Sequence, residues 1–278
     1  MFDAIAFAGG GNRCYWQGGF WEAAAGKLGL APKLIVGVSA GAFAASYSLL
    51  GIGPRVRALV IAGCGPQVKN FDPVGWRKGG PLFPVGKLYR DLIAEVLDVP
   101  ALARLQALTD MQIALSRMPR FVPPLLGAAL GISAYQIEKK LLHPVHPRFG
   151  RALGFKQEYA AVRAMRTPAE LIEVLLASSG VPPLMPVTNV GGRPAFDGGL
   201  VDNVPVTPLE SVERAGGRTL VLLTRRYRDI PQVPGRVYVQ PSEPVRVGQF
   251  DVTNPEGIRA AYELGLRDGA AFATSPKK

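Results

Sequence analysis

Cysteine and histidine are nearly missing from this chain. Two cysteines in 278 residues, Cys14 and Cys64, are too few for a disulfide framework and lack zinc-site spacing, so a reducing compartment is expected. The two histidines lie together in His143-Pro144-Val145-His146-Pro147, in an extended loop with no metal-binding or catalytic partners nearby in sequence. A Ser-His-Asp triad therefore has few candidates, and neither a metal nor a cofactor is expected. Acidic residues are the minority, 21 against 32 Lys and Arg, and the resulting charge of +11 favours anionic partners such as phospholipid head groups or nucleic acid. No RNA- or DNA-reading motif accompanies it, which sets nucleic acid aside and leaves an anionic surface or a plain basic, solvated face. Long apolar runs are lacking too. The longest, Phe121 to Tyr135, is broken by Pro123-Pro124 and is too short to span a bilayer. The first residues run straight into a strand at Phe2 to Phe7 with no basic region or cleavage site, so the expectation is a cytoplasmic protein without a secretory leader, touching membranes peripherally if at all.

What is present is apolar content of 48% with 19% charge, enough for one globular α/β domain over residues 1–278. Its centre is Leu34-Ile35-Val36-Gly37-Val38-Ser39-Ala40-Gly41-Ala42. A buried strand ends at a serine with Gly37 and Gly41 two residues to either side, and a small-faced helix follows. The spacing is that of a nucleophile elbow, in which neighbours without Cβ let the turn close and the serine Oγ stand clear. A helix-capping serine in a glycine turn has the same local pattern.

The first strand, Asp3 to Ala8, empties into Gly9-Gly10-Gly11-Asn12-Arg13-Cys14 ahead of a helix marked by Tyr15, Phe20, Trp21, Ala24 and Leu28. Consecutive glycines there expose backbone N–H groups to a phosphate or an oxyanion, or form a simple turn. The dinucleotide fingerprint would need glycine where Cys14 stands, and no Walker lysine follows, which disfavours a nucleotide-binding protein. Further along, Thr167-Pro168-Ala169-Glu170 starts a helix that ends in Ala177-Ser178-Ser179-Gly180-Val181-Pro182-Pro183. Two short strands then lead to Asp197-Gly198-Gly199. Its aspartate either projects freely or serves as an ordinary turn residue. From about residue 65 to 154 the chain is proline-rich and basic, with 12 Lys and Arg against 6 Asp and Glu between Lys69 and Arg151, and reads as an inserted cap with short helices. Met111 to Ser116 is expected to return to the main sheet as a strand. The segment Phe121 to Leu126, flanked by Arg117, Arg120, Lys139 and Lys140, is either a membrane-surface element or a buried hairpin. Ser133 to Leu142 reads as a helix opened by a capping box.

Four blocks, Gly9-Gly10-Gly11-Asn12-Arg13, Gly37-Val38-Ser39-Ala40-Gly41, Ala177 to Pro183, and Asp197-Gly198-Gly199 continuing into Asn203-Val204-Pro205, together resemble the patatin-like phospholipase family. The resemblance spans about residues 3 to 225 and leaves the 65–154 cap unassigned. It implies a three-layer α/β/α fold with a mainly parallel central sheet. It also implies a Ser39–Asp197 dyad without histidine, and an oxyanion hole from the N–H groups of Gly10 and Gly11, with Arg13 supporting the loop or the substrate's charge. Gly9, Gly37, Gly41, Gly198 and Gly199 are the motif's supporting glycines. The implied substrate is a phospholipid or other acyl ester. Acyl transfer by the same dyad and a catalytically silent lipid-binding module are the alternatives. One position departs from the family: Cys14 replaces its usual glycine, bringing a thiol to a helix N-terminus, where an acidic shift is expected.

Overall fold

The strand Ala4–Phe7 (β1) occupies the middle of the sheet, and its alternating side chains define the layers. Ile5 and Phe7 enter a large core on one face, and Ala4, Ala6 and Ala8 enter a smaller one on the other. This is a computed structural model, and it describes residues 1–119, 133, 144–147 and 149–275.

After β1 and a short 3-10 turn at Gly11–Cys14 come α1 (Tyr15–Leu28), β2 (Leu34–Val38), α2 (Ala40–Leu50) and α3 (Gly53–Gly63). Next are α4 (Pro73–Arg77), α5 (Val85–Val96), α6 (Val99–Leu108) and β3 (Asp110–Arg117). The chain continues through α7 (Phe149–Ala152), β4 (Lys156–Ala161), α8 (Pro168–Ser178), β5 (Thr188–Val190) and β6 (Arg193–Asp197). It closes with α9 (Leu209–Arg214), β7 (Thr219–Leu222), β8 (Arg236–Val239) and α10 (Pro255–Thr274).

The sheet runs β5-β6-β3-β2-β1-β7-β8, with β4 also pairing with β3. The five strands from β3 to β8 across β1 are parallel, while β4, β5 and β6 join antiparallel. Helices flank both faces. Helices α1, α2 and α10 cover the larger core, and α9 lies over the smaller one through Leu209. The carboxyl ends of β1 and β2 therefore open side by side, the place where loops of a parallel sheet gather.

Helix starts follow local chemistry. Thr167 accepts from the N–H of Glu170 at 3.3 Å, Asp98 from Ala101 at 2.9 Å and Asn254 from Gly257 at 2.8 Å, each with proline in the first turn.

The stretch expected as an inserted cap, residues 65–154, also supplies sheet and core. Strand β3 lies between β2 and β6, and Ile93, Leu97 and Leu105 join the larger core. Phe121 to Leu126, His143 and the expected Ser133 to Leu142 helix, Ser133 excepted, lie outside the described residues. Among the described residues no helix is long and apolar enough to cross a membrane, and no cluster of three His, Cys, Asp or Glu is arranged to hold a metal ion.

Candidate active site

Strand β2 delivers Ser39 to its carboxyl end, and α2 begins at the next residue. Ser39 has φ 55° and ψ −139°, making it the only non-glycine residue with positive φ among those described. A side chain at positive φ is strained, and such strain persists where the surroundings impose it. Here they do. The carbonyl of Ser39 accepts from Ala42 at 2.9 Å, and its N–H donates to Ser178 Oγ at 2.8 Å. Ser178 in turn donates to the carbonyl of Ala114 on β3 at 2.7 Å. Gly41 packs directly on the carbonyls of Phe7 and Ala8, where any Cβ would collide with backbone. The expected elbow is thus formed, braced by α8 on one side and β1 on the other.

Asp197 ends β6, its N–H bound to the carbonyl of Gly180 at 3.0 Å. Its carboxylate accepts from the N–H of Gly199 at 2.7 Å, and the Ser39 hydroxyl is among the groups that hold its acidity against burial. Both residues are buried, Ser39 at 7% and Asp197 at 8% exposure. Burial pushes the Asp197 carboxyl up to about 6 from an ordinary 3.8, and the hydrogen bonds from Ser39 and Gly199 offset part of that rise.

The glycine run leaves β1 beside this pair. The carbonyl of Gly9 accepts from Asn203 Nδ2 at 2.8 Å and Thr224 Oγ1 at 2.6 Å, and its N–H donates to the carbonyl of Asn203 at 3.0 Å. Gly11 takes φ +57° against the carbonyl of Gln249, a conformation and a clearance that only glycine tolerates. Asn12 locks the turn by donating from Nδ2 to the carbonyls of Gly248 at 3.1 Å and Asp251 at 2.7 Å. With the loop so held, the N–H groups of Gly10 and Gly11 have no protein acceptor among the described residues. Arg13 Nε donates to the carbonyl of Val247 at 3.3 Å, and its own N–H to the carbonyl of Gly10 at 3.3 Å, so this arginine supports the loop.

Cys14 reverses one expectation. Its sulfur is buried 3.6 Å from the carbonyl of Ala8, and burial, then the charge of Asp197, pushes the thiol well up against the opposing pull of Arg13. Desolvation outweighs the helix terminus, and the thiol stays protonated.

Ser39 opens into a cavity of about 350 Å³ walled by Phe43, Leu59, Val60, Leu92, Met185 and Phe250. An apolar cavity of this size suits a hydrocarbon chain. His146 takes no part in the Ser39–Asp197 contact. Its Nδ1 pairs with Asp202 at 2.9 Å and its Nε2 with the Tyr238 hydroxyl at 3.0 Å, so both ring nitrogens are engaged.

The sequence assigns no role to Ser178, Asn203 or Thr224. Ser178 and Asn203 stand inside two of the motif blocks, Ala177 to Pro183 and Asp197 to Pro205, and that placement is the only signal of either. Thr224 had none.

The family pattern of the patatin-like phospholipases matches residues 5–210, well over half of the chain. The chain belongs to that family. Patatin-like phospholipases act in general as lipid acyl hydrolases. No curated protein sequence matches the chain. Among solved structures it is similar to VipD from Legionella pneumophila, with 11% identity and a TM-score of 0.47 over 98% of this chain and 66% of that one. This patatin-like chain thus spans just under two thirds of the length of VipD.

Proposed function

We propose that the chain is a serine acyl-ester hydrolase of the phospholipase A or esterase type, with Ser39 as nucleophile and Asp197 as its base. The observation that carries this reading is a strained serine at the mouth of an apolar cavity with a buried carboxylate, which burial raises to about 6, as its partner. A base of that strength is ionised at neutral pH yet holds a proton well enough to return it.

In the first half-reaction Ser39 Oγ bonds to the ester carbonyl carbon as its proton passes to Asp197. The carbonyl oxygen gains negative charge, and the N–H groups of Gly10 and Gly11 are the donors available to it; such donors typically contribute about a hundred- to a thousandfold in rate. The carbon–oxygen bond then breaks, and the leaving alcohol takes the proton from Asp197. In the second half a water gives its proton to Asp197 and attacks the acyl-enzyme, and the fatty acid leaves as Ser39 regains its proton. The cavity lined by Phe43, Leu92 and Met185 holds the acyl chain throughout.

The test is intact mass after exposure to a fluorophosphonate, on the native chain and on Ser39→Ala. The expected result is one adduct that maps to Ser39 and is lost in the variant. Absence of labelling on well-folded native protein would overturn the hydrolase reading in favour of a lipid-binding module that keeps the fold.

A further inference from the structure

The cavity wall is interrupted by an exposed segment of unusual composition. Cys64 and Val85 both line the cavity, and the residues between them carry Phe71, Val74 and Trp76 at 54%, 53% and 58% exposure. Three large apolar side chains left in water within six residues are costly to a soluble face and mark an interaction surface. The same segment carries exposed Lys69, Arg77 and Lys78, and Asp72 is its single acid.

The segment is well built. Asp72 caps α4 through the N–H of Gly75 at 3.0 Å and pairs with Lys69 at 3.7 Å, and the N–H of Asp72 donates to the carbonyl of Leu82 at 2.9 Å. Asn70 fixes it to the cavity wall, donating to Asp251 at 3.0 Å and accepting from the N–H of Val252 at 2.9 Å. Val252 itself lines the cavity. Phe71 stacks obliquely on Phe83 with ring centres 5.5 Å apart, so the aromatic face is held outward.

We propose that Phe71, Val74 and Trp76 form a docking surface for an anionic lipid membrane. Aromatic and branched side chains enter the boundary between head groups and acyl chains, while Lys69, Arg77 and Lys78 meet the lipid phosphates. The occupant is argued from charge: exposed cationic residues flank the apolar ones along the segment, on a chain of net charge +11. The segment is rooted in the cavity wall at both ends, so docking there brings the cavity next to its lipid. The inference rests on the hydrolase reading for its purpose but not for its test.

Trp76 supplies the readout. Trp16 is fully buried and Trp21 half-buried, so Trp76 is the exposed indole. The full chain carrying Ser39→Ala, which leaves lipid uncleaved, is mixed with vesicles of equimolar phosphatidylcholine and phosphatidylserine, or of phosphatidylcholine alone. The expected result is co-sedimentation with the anionic vesicles and a blue shift in emission. Phe71→Ser and Trp76→Ser should each weaken binding about tenfold, the order expected for keeping one large apolar side chain in water. The paired Arg77→Glu and Lys78→Glu variant should lose the preference for anionic vesicles. With Ser39 restored, the Phe71→Ser and Trp76→Ser variants should hydrolyse a soluble short-chain nitrophenyl ester as the native chain does, which also shows them to be folded. No co-sedimentation, or binding that leaves Trp76 emission unchanged and is weakened by neither Phe71→Ser nor Trp76→Ser, overturns the docking surface. Failure of the native chain on the soluble ester, with vesicle binding as described, overturns the hydrolase reading and leaves the surface standing.

Discussion

Replacing Asp197 by asparagine should abolish hydrolysis and at the same time stabilise the fold. The carboxyl is raised from 3.8 to about 6, chiefly by burial. Each factor of ten in acid strength is worth 1.36 kcal/mol, so carrying the charge above pH 6 costs the native state about 3 kcal/mol. Because the folded protein holds this proton more tightly than the unfolded chain, the contribution of Asp197 to stability is greatest below about pH 4. It is lost as pH rises from about 4 to 6 and stays lost above. Asparagine carries no charge to bury and keeps an oxygen for the N–H of Gly199. The variant and the native chain should therefore be equally stable near pH 4 and separate to about 3 kcal/mol by pH 7.5. In melting temperature that is roughly 5–10 °C for a chain of this size. Urea titrations followed by far-ultraviolet circular dichroism, on both proteins across that pH range, measure the separation directly. A variant less stable than the native chain at pH 7.5, or a difference that does not vary with pH, would refute the claim that burial sets the acidity of Asp197.

Other outcomes follow from the same geometry. The rate of acylation should rise with pH through about 6 and then level off, as Asp197 must be ionised to accept the Ser39 proton; single-turnover labelling across pH checks this, and an inflection near 4 would contradict it. Ser178→Ala removes the acceptor for the Ser39 N–H and the donor to Ala114, which should destabilise the fold by about 1–3 kcal/mol in urea titration and slow labelling of Ser39. Gly11→Ala forces a side chain into positive φ and onto the Gln249 carbonyl; kcat/KM should fall by about a hundred- to a thousandfold with the same reagents, if Gly11 donates to the oxyanion.

The fold and the strained turn at Ser39 were largely legible because glycine and proline speak locally. Gly37 and Gly41 around Ser39, and Thr167-Pro168 ahead of α8, carry their conformational meaning in a few neighbouring residues. Long-range polar contacts do not. Thr224 reaches Gly9 across 215 positions, and Ser178 reaches Ser39 across 139; nothing near either residue in the chain announces the bond. The partners of His146, Asp202 and Tyr238, are out of sight in the same way, lying 56 and 92 residues on. For Cys14 the helix terminus was visible in the sequence but the depth of burial was not, and burial decided the outcome. The exposure of Phe71 and Trp76 was equally hidden, because a segment rich in glycine and proline with a helix of only five residues gives no periodic pattern from which to tell an inward side chain from an outward one.

The tie between Gly9 and Asn203 carries a consequence for inheritance. Asn203 holds Gly9 by side chain and backbone together, which joins the turn after β1 to the turn that follows Asp197, although 194 positions separate them. The two turns are one mechanical part made from two distant pieces of chain. A graft that imported either turn from a relative would bring half of a lock, and the Gly10–Gly11 turn and Asp197 would lose their spacing together. Exchange between members of the family is therefore expected to succeed only when both ends of the domain travel as a pair.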